Sequence, residues 1–334
     1  MVAALEGRNE GPIPIIPPFQ ATWALNMMGV TPQETVNEPK KNAICQSKIA
    51  DLCGFDGFEG MWDWLSMVEA MGCDVEFRPG MGAVTVSHVL SDDSDASIEV
   101  GPVDDKRAVT NLNTINALLD GDKFIYATVP GTFTLSAELR GLEQLMMDSI
   151  LETDVYRDIL RRTTENLKEY CIFYDEVAEG VMLCESTGSP SLLDPDSLRK
   201  EVVPLNAELF EVVDGYRMLH NCGDVTQLLP DLPTSSINLL SIHDTPLKES
   251  LESFDCCISG GISTFSSLLN DNPEKTLNDI SQTIQTFKGN ERRFILSASC
   301  DIPPSTPLGN VMVWQEHANS NNVLENIENC CRNN

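Results

Sequence analysis

From residue 124 onward, short apolar runs recur at regular intervals: "FIYATVPG", "VMLCES", "YRMLHNCG", "NLLSIHD", "CISGG" and "FILSASCD". Several precede a longer segment with helical spacing, such as "LSAELRGLEQLMMDSIL". Such runs suit strands buried on both faces, and strands that alternate with helices pair in parallel through right-handed crossovers. With about eight such units expected along the chain, the economical architecture is a closed (β/α)8 TIM barrel. A doubly wound sheet with a dinucleotide loop fits less well. The glycines of "GMGAVTV" and "SGGIS" lack the G-x-G-x-x-G spacing, and no such motif follows a strand-like run.

The N-terminal part is less regular. "GPIPIIPPF" is apolar but broken by prolines, which suits a short first strand and its loop better than a helix. "VTPQETVNEPKKNAICQSKIADLCGFDGFEG" reads as helix and turn. Residues 74–105 alternate and then turn polar, predicting a hairpin-like excursion with a solvated acidic loop around 91–97; His88, inside it, is assigned to packing or surface. No fixed-period repeat and no Pro/Ser-rich linker divides the chain. One domain over residues 1–334 is the expectation.

Charge narrows the function classes. Against 51 acidic residues stand 22 basic ones, giving −29 and a pI near 4.3, so nucleic acid is a poor partner. The acidic residues are spread along the chain, as on a solvated, self-repelling surface; a saline cytoplasm is compatible with this. Eleven cysteines are too sparse for a disulfide scaffold, and no basic region leads into an apolar signal core, so reduced thiols in the cytoplasm are expected. No uninterrupted apolar run reaches the length of a membrane span.

In a barrel of this kind, residues where strands end face the reactive side. "YRMLH" ends in His220 with Cys222 two positions on, "FILSAS" leads into Cys300, and "NLLSI" leads into His243 and Asp244. An extended backbone across Asn221 turns the side chains of His220 and Cys222 the same way, so the pair can chelate one ion. Three ligands with one exchangeable position is the pattern of a catalytic zinc. Spacing alone also fits the blander alternative, buried thiols and a satisfied core histidine. Cys45, Cys53, Cys73, Cys171, Cys184, Cys256, Cys257, Cys330 and Cys331 have no such convergence and are assigned to packing or the tail.

"LHNCGDVTQLLPDL", "CISGG" and "FILSASCDIPPSTPLGN" resemble, in order, blocks of the uroporphyrinogen decarboxylase superfamily, in particular its methyltransferase branch, the methylcobamide:coenzyme M methyltransferases of methanogenic archaea. "GFDGFEGMWDWLSMVEAMGCDVEF", "VPGTFTLSAELRGLEQLM" and "ESTGSPSLLDPDSLRKEVVP" are similar as well. The resemblance implies a TIM barrel whose one catalytic zinc (Zn2+) is held by His220, Cys222 and Cys300. It implies a fourth ligand just after "NLLSI", where His243 and Asp244 stand and the family carries an acidic residue.

The implied activity is methyl transfer from a methylated corrinoid, carried on a separate corrinoid protein, to the thiolate of coenzyme M or another small thiol. Trp23, Trp62 and Trp64 are candidates to line the mouth where that protein docks, and Arg78 and Arg140 are candidates to hold a sulfonate. Three alternatives stand beside this reading: a substrate-side enzyme that demethylates a thiol, amine or ether onto a corrinoid, a uroporphyrinogen decarboxylase, and a non-catalytic zinc-stabilised binding protein. The decarboxylase fits worst, because "IPIIPPFQATWALNMMG" contains no arginine to grip substrate carboxylates.

Overall fold

The computed structural model describes residues 1–61, 63–78, 82–91, 106–232, 236–270 and 272–318. Seven parallel strands form one sheet: β1 (Gly57–Glu59), β4 (Phe124–Pro130), β5 (Gly180–Glu185), β6 (Tyr216–Asn221), β7 (Leu239–Ile242), β8 (Cys257–Ile262) and β9 (Phe294–Ala298), in that spatial order. A separate antiparallel hairpin, β2 (Val75–Arg78) with β3 (Gly82–Thr85), lies between β1 and β4 in sequence and matches the expected excursion. The acidic loop around 91–97 falls almost entirely outside the described residues, as do Trp62, Cys330 and Cys331.

β4 and β5 are buried along their whole length, as strands covered on both faces must be, and this is why they read as continuous apolar runs. The helix Asp154–Asp175 illustrates the covering layer. Thr153 caps it, its side chain accepting from Tyr156 N at 3.0 Å. Tyr156, Ile159, Leu160, Thr163, Leu167, Tyr170 and Tyr174 repeat at three- and four-residue steps and are buried, giving one apolar stripe against the sheet. The segment "LSAELRGLEQLMMDSIL" is two helices, Thr132–Arg140 and Leu142–Ile150, because Gly141 adopts φ +88° between them.

The closed eight-stranded TIM barrel expected from the sequence is not formed: the sheet is curled and open, a seven-stranded half-barrel. The N-terminal run "GPIPIIPPF" lies between the two edges, joined to β9 by a single parallel bridge, Ile15 with Leu296. Leu296 N donates to Pro14 O and Ile16 N to Leu296 O on one side, and Asp56 N donates to Ile15 O on the other. The Ile15 N–H goes to the Asp56 side chain at 2.8 Å. Pro12, Pro14, Pro17 and Pro18 have no N–H to donate, so a full ladder strand cannot form here.

Candidate metal centre

Strand register brings the site together. His220, near the end of β6, is level with Cys184 of β5 and Ser241 of β7. Its imidazole is fully buried, Nδ1 lies 3.0 Å from Ser241 Oγ, and the Phe19 ring meets it edge-on at 5.1 Å. With Nδ1 engaged, Nε2 is the ring nitrogen left for a ligand. Cys222 follows on the turn after β6, its backbone N–H donating to Glu185 O at 3.1 Å. Gly223 then takes φ +76°, and a Cβ there would come within 2.8 Å of Ser191 Oγ, so the glycine after H-x-C is sterically required. Cys300 arrives from β9, its N–H donating to Thr264 Oγ1 at 3.1 Å.

The Cys222 sulfur lies 3.4 Å from His220 Nε2 and 3.9 Å from the Cys300 sulfur. On one tetrahedral zinc, with usual bond lengths, sulfur and nitrogen sit about 3.6 Å apart and two sulfurs about 3.8 Å apart. The two separations about Cys222 therefore suit a zinc-sized ion. All three ligand atoms lie within 4.8 Å of one another, and among the described residues this is the metal-competent cluster found. The Cys222 hydrogen bond, followed by burial, pushes the Cys300 thiol well up, His220 opposing, so without metal Cys300 holds its proton. A bound cation reverses that balance.

His243 and Asp244 stand on the turn after β7, outside the three-residue cluster. His243 Nδ1 accepts from Gly223 N at 3.0 Å, and Asp244 N donates to Gly223 O at 3.2 Å, so the two turns are stitched together. Burial lowers the His243 pKa, with the Asp244 carboxylate opposing. The accepted N–H at Nδ1 and the lowered pKa both describe a neutral ring.

Beside Cys300 opens a cavity of about 250 Å³. Glu59 at the end of β1, Thr128 of β4, Cys184 and Ser186 at the end of β5, and Asp63 and Asp301 line it, and the β2–β3 hairpin contributes Gly82 and Ala83 as one wall. Burial raises the Glu59 pKa well above the carboxylate range, with the neighbouring Thr128 hydroxyl opposing. Asp301 opens onto the cavity and is exposed to solvent, and the protein packed on one side of its carboxyl raises its pKa. Sequence reasoning missed these residues and Phe19. A strand-end position was the available signal for Cys184, which closes a short apolar run, whereas Glu59 ends a three-residue strand in a stretch that reads as helix and turn.

Of the aromatic candidates for the mouth, Trp64 lines the cavity, whereas Trp23 is fully buried and donates to Thr306 O at 3.0 Å. Neither sulfonate candidate faces the cavity. Arg140 is buried against Asp148 at 2.9 Å and Leu90 O at 2.7 Å, and Arg78 is exposed on the hairpin. His88 packs as expected, Nδ1 lying 2.6 Å from Glu138 O. Within the described residues no helix is long and apolar enough to cross a membrane.

A parallel α/β half-barrel thus gathers an imidazole and two thiols at its strand-end face. The chain belongs to the uroporphyrinogen decarboxylase (URO-D) family, whose model matches residues 1–320. It is 23% identical over 323 residues to the methylcobamide:CoM methyltransferase MtaA of Methanosarcina barkeri, covering 93% of this chain and 94% of that protein. It is 21% identical over 322 residues to a methylated-thiol–coenzyme M methyltransferase of Methanosarcina mazei, covering 94% and 86%. A solved methyltransferase from Methanosarcina mazei superposes with a TM-score of 0.83 at 22% identity, over 95% of this chain and 96% of that one, a similarity of fold.

Proposed function

We propose that this protein transfers a methyl group between a methylated corrinoid, carried on a separate protein, and a small thiol bound at a zinc ion held by His220, Cys222 and Cys300. The observation that carries the reading is the convergence of three donors within 4.8 Å of one another, with the two separations about Cys222 suiting one tetrahedral ion, beside a cavity that Cys300 borders. The relatives named as corrinoid and thiol methyltransferases support it.

A zinc ion held by His220, Cys222 and Cys300 would supply Lewis acidity, lowering the pKa of an incoming thiol while leaving its sulfur nucleophilic. The chain does the rest by position. Ser241 and Phe19 fix the His220 ring, Gly223 and Glu185 fix the turn carrying Cys222, and Thr264 fixes Cys300. Holding the thiol sulfur in line with the methyl–cobalt bond is the main catalytic task. A sulfur–carbon bond forms as the carbon–cobalt bond breaks, its electron pair remaining on cobalt as Co(I). The reverse direction, demethylating a methylated thiol, uses the same atoms.

His243 and Asp244 remain the candidates for the fourth position before the thiol arrives, Asp244 through its carboxylate and His243 only on releasing the Gly223 N–H from Nδ1, since a neutral ring that accepts at Nδ1 carries its proton on Nε2. Coenzyme M is the thiol that both relatives' names supply. X-ray absorption at the zinc edge tests the assignment. Two sulfurs, the His220 nitrogen and one further nitrogen or oxygen should become three sulfurs and one nitrogen on adding thiol, and Cys222→Ala or Cys300→Ala should lose the metal while keeping the helical circular-dichroism signal. Full zinc content in either variant, or a metal shell that thiol does not enter, sinks the proposal.

A further inference from the structure

Resting on this methyl-transfer reading, we infer that the thiol taken by the cavity beside Cys300 is an aminothiol, its far end an ammonium group held by the carboxyls of Glu59 and Asp301, and not a sulfonate or carboxylate. The cavity, about 250 Å³, is below the range that houses a drug-sized ligand and suits a molecule of a few non-hydrogen atoms. Three carboxyl groups face it, and no Lys, Arg or His is among its lining residues.

One of the three is already matched. Asp63 is held by the Arg107 guanidinium, which also binds Glu69 at 2.6 Å. Glu59 is different. It is 6% exposed, and no Lys, Arg or His pairs with it among the described residues; its polar neighbours are the Thr128 hydroxyl and Asp301. The Thr128 hydroxyl is itself buried and outside bonding geometry with any acceptor or donor. A buried carboxyl without a cation is costly, and a ligand's ammonium offsets that cost where nothing in the protein does. An anionic tail finds no basic side chain among the lining residues and would oppose ionisation of the two carboxyls, whereas an ammonium beside them favours it. The residues next to the lining that lie outside the described set, Trp62 and 79–81, carry no charged side chain either.

The test compares three thiols with the same two-carbon spacer and different far ends: cysteamine (ammonium), mercaptoethanol (hydroxyl) and coenzyme M (sulfonate). Each is titrated by calorimetry into the zinc-loaded full chain near neutral pH and low salt. Cysteamine should bind tightest, on the order of tenfold or more above coenzyme M, with mercaptoethanol between. Glu59→Gln should bring the cysteamine and coenzyme M affinities to within about twofold without changing zinc content; Asp301→Asn serves the same purpose if the first variant does not fold. Coenzyme M binding as tightly as cysteamine, or a preference that survives both variants, overturns the inference while leaving methyl transfer intact. If none of the three thiols binds the zinc-loaded protein, methyl transfer at this site fails first and the aminothiol assignment with it.

Discussion

His220 can offer a metal one nitrogen because the other is held by Ser241, and that division of labour is testable. Ser241→Ala should leave the fold intact and weaken zinc binding by about 10- to 100-fold in competition with a chromophoric chelator, the usual effect of removing a ligand's hydrogen-bond partner. Unchanged affinity would mean that packing alone orients the ring. Glu59 gives a pH signature. Its folded pKa is raised above the unfolded value of 4.5, so the folded state binds the extra proton and stability falls as pH rises from about 4.5 through the folded pKa. Glu59→Gln should therefore gain stability relative to the parent as pH rises, with no gain below the unfolded pKa. Urea unfolding across a pH series reads this, and a pH-independent difference contradicts it. The H-x-C pair was legible in sequence because alternate residues of an extended strand share a face. Cys300 needed the rhythm of strand ends, 78 positions away. Glu59, Asp301 and Phe19 acquire meaning only when the chain has curled, since a lone acid or phenylalanine beside an apolar run has no periodicity that marks it.

At the scale of elements, the strands and the long helix follow from their patterns, and the departures have backbone causes. The sheet stays open where prolines remove donors from residues 12–18, which no count of apolar runs registers. The helix after β4 divides at Gly141, whose positive φ interrupts a continuous helical spacing. The helix Asp154–Asp175 depends on its stripe: Leu160 is fully buried, and Leu160→Ala should cost about 2–5 kcal/mol in denaturant unfolding, with zinc still bound by the protein that remains folded. A cost under about 1 kcal/mol would show that the stripe is not packed against the sheet as described.

For the whole molecule, charge is the unusual quantity. A net −29 repels itself, and the repulsion is screened as the Debye length shrinks from about 30 Å at 0.01 M to about 8 Å at 0.15 M salt. The melting temperature should climb over that range with sodium chloride, and a flat profile would mean that the acidic residues are too far apart to oppose folding. The same surface charge made nucleic acid a poor partner in the sequence, and it is why the few basic residues near the cavity, such as Arg107, are committed to neighbouring acids.

The central claim is that three side chains drawn from two strand ends hold an ion that activates a thiol toward a methylated corrinoid. Its most direct test is the absorbance of methylcob(III)alamin mixed, without oxygen, with thiol and the zinc-loaded protein. Conversion to cob(I)alamin that stops on chelating zinc and is lost in Cys300→Ala is the predicted result. No conversion with any of the three thiols, in protein shown to carry one zinc per chain, would contradict it.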